Sequence, residues 1–226
     1  MGRRRAGDGR LAARHRSLGG SRRDHADASL IARALEAGAP VLRPPAARGD
    51  EIENLALAQA EAELAAHELR CVELGPWRSV QAGPFSVTAL PAADGLGDPQ
   101  LSWLVDDGDH RVLHCGDTLF HGYWWRIALR LGPIDLAFLP INGPVVDFPH
   151  RRPASLLPAA MTPEQAAVAG ELLRARAVAP MHYAGYDVEP HYRSAARAAE
   201  RFGEAGAGRP FAVRQLQVGE ETSVAW

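Results

Sequence analysis

The stretch that decides the fold is Leu113–Gly122, LHCGDTLFHG. An apolar run, Arg111–Cys115, stops at a Gly-Asp pair, the pattern of a strand that delivers a carboxylate to the edge of a sheet. Downstream, IDLAFLPING at 134–143 reads as a buried strand, Ile134–Leu139, followed by turn residues. APMHYAGY at 179–186 follows the same plan, with the strand Ala177–Met181 stopping at His182. Between them, MTPEQAA at 161–167 carries a helix start: Thr162 at the N-cap, Pro163 at the first helical position and Gln165 completing a capping box. That helix is expected to run to about Ala175.

Working outward, residues 124–131 have helical periodicity, residues 140–160 form a long Pro-rich loop, and Tyr192–Phe202 is read as a last helix. Upstream lies a strand-rich middle, Arg70–Leu74, Ser79–Ala82, Phe85–Leu90 and Leu101–Asp106, punctuated by Gly, Pro and Asp. Asp106-Asp107-Gly108-Asp109 is a hairpin turn. Ahead of that, Asp27 can cap a helix ending at Gly38, and Pro40–Leu42 is a short strand. Residues 51–68 read as a helix with Ile52, Leu55, Ala56, Ala60 and Leu64 inward. The chain is therefore mixed α/β, with hairpins in the middle and β–α alternation afterwards.

Four signatures stand where strands or helices meet loops: Asp24-His25, Asp94-Gly95, Gly116-Asp117-Thr118 and Met181-His182-Tyr183. Carboxylates and imidazoles at strand ends can converge on one rim, and mixed Asp/His ligation suits Zn²⁺ or a related divalent ion. Each signature also has a plain structural reading. A lone strand-end His is commonly a hydrogen-bonded structural residue, and an Asp beside Gly commonly shapes a turn. Acids at 24–27 can simply cap a helix. His121, Tyr123, Trp124 and Trp125 either line a pocket or pack a helix on the sheet. His150 and Arg151, in the Pro-rich loop, either meet an anionic substrate or are simply solvated. His114 is read as structural, as is Cys115, a small buried residue.

Taken together and in order, the Gly-Asp-Thr, Leu-Pro-Ile-Asn-Gly, Met-Thr-Pro-Glu-Gln and Met-His-Tyr segments resemble the metallo-β-lactamase superfamily. The branch most similar is that of the ascorbate-6-phosphate lactonase-like hydrolases, over about residues 24–192. The resemblance implies an αββα sandwich and a metal-dependent hydrolase in which a divalent ion activates water against an ester, lactone, amide or phosphoester. The family's His-x-His-x-Asp-His motif, ended on Asp24-His25, places its first two histidines at Gly20 and Arg22, neither a metal ligand. Where the next histidine of that subsite belongs, the chain has Asp94. The bridging carboxylate falls on Asp117 and the last histidine on His182. By resemblance, then, Asp24, His25, Asp117 and His182 hold one Zn²⁺, or Mn²⁺, rather than two ions. Asp24 or Asp94 is the general-base candidate, and His121, His150 and Arg151 are the substrate-binding candidates. The missing histidines support a second reading, a catalytically crippled relative.

Composition sets the remaining bounds. The 226 residues are 46% apolar and 23% charged with a net charge of −2, enough chain for a real core. All 25 basic residues are arginine, so no P-loop lysine exists, and no Gly-x-Gly-x-x-Gly occurs. The charge is uneven: residues 1–23 carry +7 and the rest −9. Because the family has strands ahead of the Asp-His motif, residues 1–23 are expected to be a non-native or disordered basic leader. Residues 24–226 are then a domain lacking the first strands. The leader could be a nucleic-acid arm, but the acidic body argues against nucleic acid as a partner. No apolar run is long enough for a membrane helix, and Cys71 and Cys115 do not suggest a disulfide framework. The expectation is a cytoplasmic enzyme acting on a small, anionic molecule; no feature fixes an oligomeric state.

Overall fold

The computed structural model describes residues 27–223, apart from positions 37, 47, 48, 50, 98, 150, 186 and 218. Asp24, His25 and His150, and with them the basic leader, lie outside the described residues. Five helices and eleven strands are described: α1 (Ala28–Ala34), β1 (Val41–Arg43), α2 (Glu51–Ala66), β2 (Cys71–Glu73), β3 (Ser79–Ala82), β4 (Phe85–Pro91), β5 (Leu101–Asp106), β6 (Arg111–His114), α3 (Trp124–Leu131), β7 (Ile134–Pro140), β8 (Val145–Val146), α4 (Pro163–Leu172), β9 (Ala175–Met181), β10 (Tyr192–Arg193), α5 (Ala198–Gly206) and β11 (Ala212–Val213).

Seven strands form one mixed sheet in the order β11-β9-β7-β6-β5-β4-β3. Its β3–β6 half is antiparallel and built from hairpins, whereas β6, β7, β9 and β11 run parallel. The turn between β5 and β6 is the one the sequence proclaims. Asp106 Oδ1 accepts from Gly108 N at 2.7 Å, and Gly108 takes φ +96°, which glycine adopts without a Cβ clash. Two antiparallel steps make β4 point the same way as β6. The C-terminal ends of β4, β6, β7 and β9 therefore share one rim, and the loops after them carry Asp94, Asp117, Asn142 and His182.

Alternation along the strands splits the core in two. Leu90, Leu104, Leu113 and Leu139 face a layer of α3, α4 and α5 represented by Trp124, Ile127, Ala166, Ala169 and Phe202. On the other face Val87, Ala89, Leu101, Trp103 and Val105 pack with Leu42 and Leu74 of the small parallel β1–α2–β2 unit. Each fully buried Leu, Ile or Trp stabilises the fold by roughly 1.5–3 kcal/mol relative to exposure. The capping box of α4 forms as expected, with Thr162 Oγ1 accepting from Gln165 N and Gln165 Oε1 accepting from Thr162 N.

Several expectations are corrected. Tyr192–Phe202 is not one helix: Tyr192 pairs with Val146, Arg197 takes a left-handed conformation at φ +50°, and the helix begins only at Ala198. The tertiary pairing to β8 outweighs local propensity there. Likewise α4 ends at Leu172 because Arg174 turns left-handed at φ +53° and the chain enters β9 at Ala175. Leu55, expected inside, is 62% exposed, whereas Leu64 is buried. Trp124 packs into the core while Trp125 points outward, since neighbouring residues on a helix do not share a face. Among the described residues no helix is long and apolar enough to cross a membrane.

Candidate active site

The rim assembles from short loops tied to one another. Leu119 N donates to the Ala93 carbonyl at 2.7 Å, and Ala93 N donates to Thr118 Oγ1 at 3.2 Å. These bonds lock the loop holding Asp94 to the loop holding Asp117. Met161 N donates to the Thr118 carbonyl and Gly95 N to the Ala159 carbonyl, both at 2.9 Å, fastening the end of the Pro-rich segment to the same place. Gly95 is obligatory here, because a Cβ would lie 2.6 Å from the Ala159 Cα.

At the centre of this assembly, His182 Nδ1 and Asp117 Oδ1 are 2.6 Å apart, a charge-assisted length, although the residues are 65 positions apart in sequence. Their side chains are partly open, 28% and 24% exposed. His182 adopts φ +58°, a left-handed conformation that costs a non-glycine residue roughly 1–2 kcal/mol. Such strain concentrates at functional sites. Just before it, Ile141 N donates to the Met181 carbonyl at 3.1 Å, so the β7 and β9 ends stay in register up to the pair.

Sequence reasoning missed the roles of Gln100, which holds this centre, and of Asn142, which ties down the neighbouring 192–195 segment. Gln100 is buried, and its Nε2 donates to the Asp117 carbonyl at 2.8 Å, holding the acid's backbone. Asn142 is buried as well; its Nδ2 donates to Tyr192 Oη at 3.0 Å and its carbonyl accepts from Ala195 N at 2.6 Å. The available signal was a polar residue directly flanking an apolar strand. Beside the His182 turn a groove of about 530 Å³ is lined by Asn142, Tyr183, Ala184, Gly185 and residues 194–200.

The remaining candidates are distributed as follows. Asp94 sits on the rim, where its Oδ1 accepts from Leu96 N at 2.9 Å in a local turn. His121 stacks on Trp124, and burial pushes its imidazolium down to about 4, against a smaller opposing backbone hydrogen bond. Arg151 lies in the Pro-rich segment, its amide donating to the Phe148 carbonyl at 3.0 Å. Cys115 is fully buried and its thiol is pushed up to about 12 by desolvation, which makes it structural rather than reactive. His114 Nδ1 accepts from Gly116 N at 3.2 Å.

Asp117 and His182 match a divalent ion in the kind of donor they offer, oxygen and imidazole nitrogen, but they supply half the donors of a tetrahedral site. Among the described residues no group of three or more His, Cys, Asp or Glu side chains is placed to hold a metal. The other two ligands of the expected set, Asp24 and His25, fall outside the described residues.

Comparison with known proteins supports the same architecture. The family model of the Beta-lactamase superfamily domain matches residues 23–183. A UPF0173 metal-dependent hydrolase of Thermococcus onnurineus is 30% identical over 115 residues, covering 51% of this chain and 41% of the relative. Another, from Thermococcus kodakarensis, is 39% identical over 112 residues, covering 50% and 39%. The chain thus spans about two fifths of the length of these curated relatives. Among solved structures, Igni18, a metallo hydrolase of Ignicoccus hospitalis, superposes with a TM-score of 0.61 at 23% identity, covering 88% of this chain and 74% of that one. The metallo-β-lactamase fold protein YhfI of Bacillus subtilis gives 0.57 at 16% identity, covering 87% and 71%.

Proposed function

The chain belongs to the beta-lactamase superfamily, and from that premise we propose that it is a metal-dependent hydrolase of a small ester, lactone, amide or phosphoester. The observation that carries this reading is the Asp117–His182 pair at the shared ends of β6 and β9. A strained histidine held 2.6 Å from a carboxylate, both open to solvent at the loop rim, is a costly arrangement for a purely structural contact.

In this reading Asp117 and His182 are two ligands of one Zn²⁺ or Mn²⁺, and Asp24 and His25 complete the set. When bound, the ion supplies Lewis-acid polarisation of the substrate and lowers the pKa of water toward neutrality. The chain's own residues do the rest. Asp117 orients the His182 ring, and Gln100 fixes the backbone of Asp117. Asp94, or Asp24, accepts the proton of the attacking water. His121, His150 and Arg151 hold the substrate, with the groove beside Tyr183 taking the departing portion. An anionic substrate suits the arginine of the Pro-rich segment.

Metal analysis and turnover on the full chain test the proposal. About one equivalent of ion is expected, lost on Asp117→Ala and on His182→Ala, with turnover of at least one generic ester or phosphoester. Metal-free protein without turnover would sink it and favour the second reading, a crippled relative. That alternative draws on Gly20 and Arg22, which stand where the family has histidines, and on the absence of a histidine between His67 and His110.

A further inference from the structure

Helix α3 buries one face and leaves the other bare. Trp124, Ile127 and Ala128 pack into the core, whereas Trp125 is 57% and Leu129 79% exposed. Arg126 and Arg130 stand beside them, both exposed. Residues four apart on a helix are neighbours on its surface. The outer face is therefore two parallel ridges, an apolar one of Trp125 and Leu129 and a cationic one of Arg126 and Arg130. No Asp or Glu occurs in α3, and neither arginine forms an ion pair among the described residues.

Each guanidinium lies over an aromatic ring instead. Arg130 Cζ is 4.6 Å from the ring centre of Trp77, and Arg126 Cζ is 5.9 Å from that of Tyr123. The two rings meet edge to face at 6.4 Å, which joins both arginines into one continuous surface. Trp77 is held there under strain. Its backbone is left-handed at φ +66°, a conformation that a bulky residue rarely adopts, and its amide donates to the Ala89 carbonyl at 2.7 Å. Backbone strain of this kind collects at functional positions. A guanidinium stacked on a ring keeps its N–H edge free and in a fixed plane, ready to take a carboxylate or phosphate through two parallel bonds. The apolar ridge calls for an apolar neighbour. Trp, Tyr and Arg are also the residue types that dominate binding energy at protein interfaces. A nucleic acid or an anionic bilayer offers phosphates, but its charge runs on past the patch. There it meets a body that carries −9 beyond residue 23. A short acidic protein segment ends where the patch ends.

We propose that the outer face of α3, together with Trp77 and Tyr123, binds an acidic amphipathic helix of a partner protein. Carboxylates one helical turn apart engage Arg126 and Arg130, and the partner's apolar side chains cover Trp125 and Leu129. The assignment is independent of the hydrolase reading, since no residue of the patch acts in that mechanism.

The test uses the full chain and two dye-labelled helical peptides of about 20 residues. They are identical except that one carries Glu, the other Lys, at i, i+4 positions beside a row of Leu. Fluorescence anisotropy is expected to show saturable binding of the acidic peptide, weakening as salt rises, and none of the basic one. Trp125→Ala lowers the affinity by roughly 10-fold or more, and Arg126→Glu with Arg130→Glu abolishes binding. Arg33→Glu, a charge reversal at an exposed position of α1, leaves it within about twofold. The substituted side chains are exposed, and circular dichroism checks that each variant keeps the fold. Failure of the acidic peptide to bind, equal binding of both peptides, or equal binding by the α3 variants would overturn the proposal. Tighter binding to oligouridylate or to phosphatidylglycerol vesicles, lost in the same variants, would transfer the patch to a polyanion and overturn the protein assignment. Self-association of the wild type in sedimentation, abolished by Trp125→Ala, would overturn it in favour of a second copy of this chain.

Discussion

Two histidine–carboxylate pairs sit at different rims of the same sheet, and they are built in different ways. His110 and Asp107 belong to the hairpin between β5 and β6, three residues apart, with Nδ1 3.6 Å from Oδ2. The amides of His110 and Asp109 hold the Asp107 carboxyl below its ordinary 3.8, so the pair is an extension of a turn. His182 and Asp117 are 65 residues apart, approach to 2.6 Å, and meet only because β6, β7 and β9 lie side by side in parallel. The local pair requires nothing beyond the turn itself. The distant pair requires the sheet, a left-handed His182, Gln100 against the Asp117 backbone and the ties between the β4 and β6 loops. It is the distant pair that the proposed function assigns to the metal.

The comparison breaks first on activity. Asp117→Asn and His182→Ala should each abolish metal retention and lower kcat/KM by more than the roughly 10–100-fold that loss of an outer-shell partner costs. Asp107→Asn and His110→Ala should leave kcat/KM within about twofold of wild type, as charges far from the reacting atoms. Equal effects from the two pairs would erase the distinction.

A second prediction touches no candidate ligand. Gly95→Ala places a methyl group 2.6 Å from the Ala159 Cα, which the loop must move to admit. It should cost about 1–3 kcal/mol in chemical denaturation and reduce activity by displacing the Asp94 loop. An equally active Gly95→Ala protein would show that the ties around the distant pair are dispensable.

The third concerns pH. His121 has a folded pKa of about 4 against an ordinary 6.5, so between these values the unfolded chain binds a proton that the folded chain refuses. Its contribution to stability is full above 6.5 and is lost progressively as pH falls toward 4. After allowance for solvent screening this amounts to roughly 1–3 kcal/mol. Urea titrations at several pH values should show the decline, and His121→Phe should flatten it. Asp107 acts in a lower window, since its depressed carboxyl loses its stabilising role only as pH drops through and below 3.8. The smallest effect expected is Asp107→Asn at neutral pH, under about 1 kcal/mol by thermal denaturation.

Much of the scaffold was legible because its signals are local. Alternating apolar residues marked β4 and β5, the Asp-Asp-Gly-Asp turn marked their neighbour β6, and Thr162-Pro163 with Gln165 marked the start of α4. The two-residue strands β8, β10 and β11 were not legible, because two residues establish no periodicity and only a partner makes them strands. The misplaced start of α5 follows from the same cause, as Tyr192 pairs with Val146 instead of starting a helix. Of the candidate ligands, Asp117 and His182 were readable as strand-end residues and Asp94 as a turn residue. Gln100 carried no chemical motif, and its role exists only because Asp117's backbone arrives beside it.

The sequence by itself determined which residues end the strands, how the helices start and that the chain has the ordered segments of the metallo-β-lactamase superfamily. These depend on neighbours within a few positions, where sterics and capping act directly. Only the tertiary structure decided that His182 reaches Asp117, that Trp124 is buried while Trp125 is exposed, and that the His121 ring lies stacked on Trp124. Such facts depend on strand order and on which faces are covered, and they arise when distant segments exclude water together.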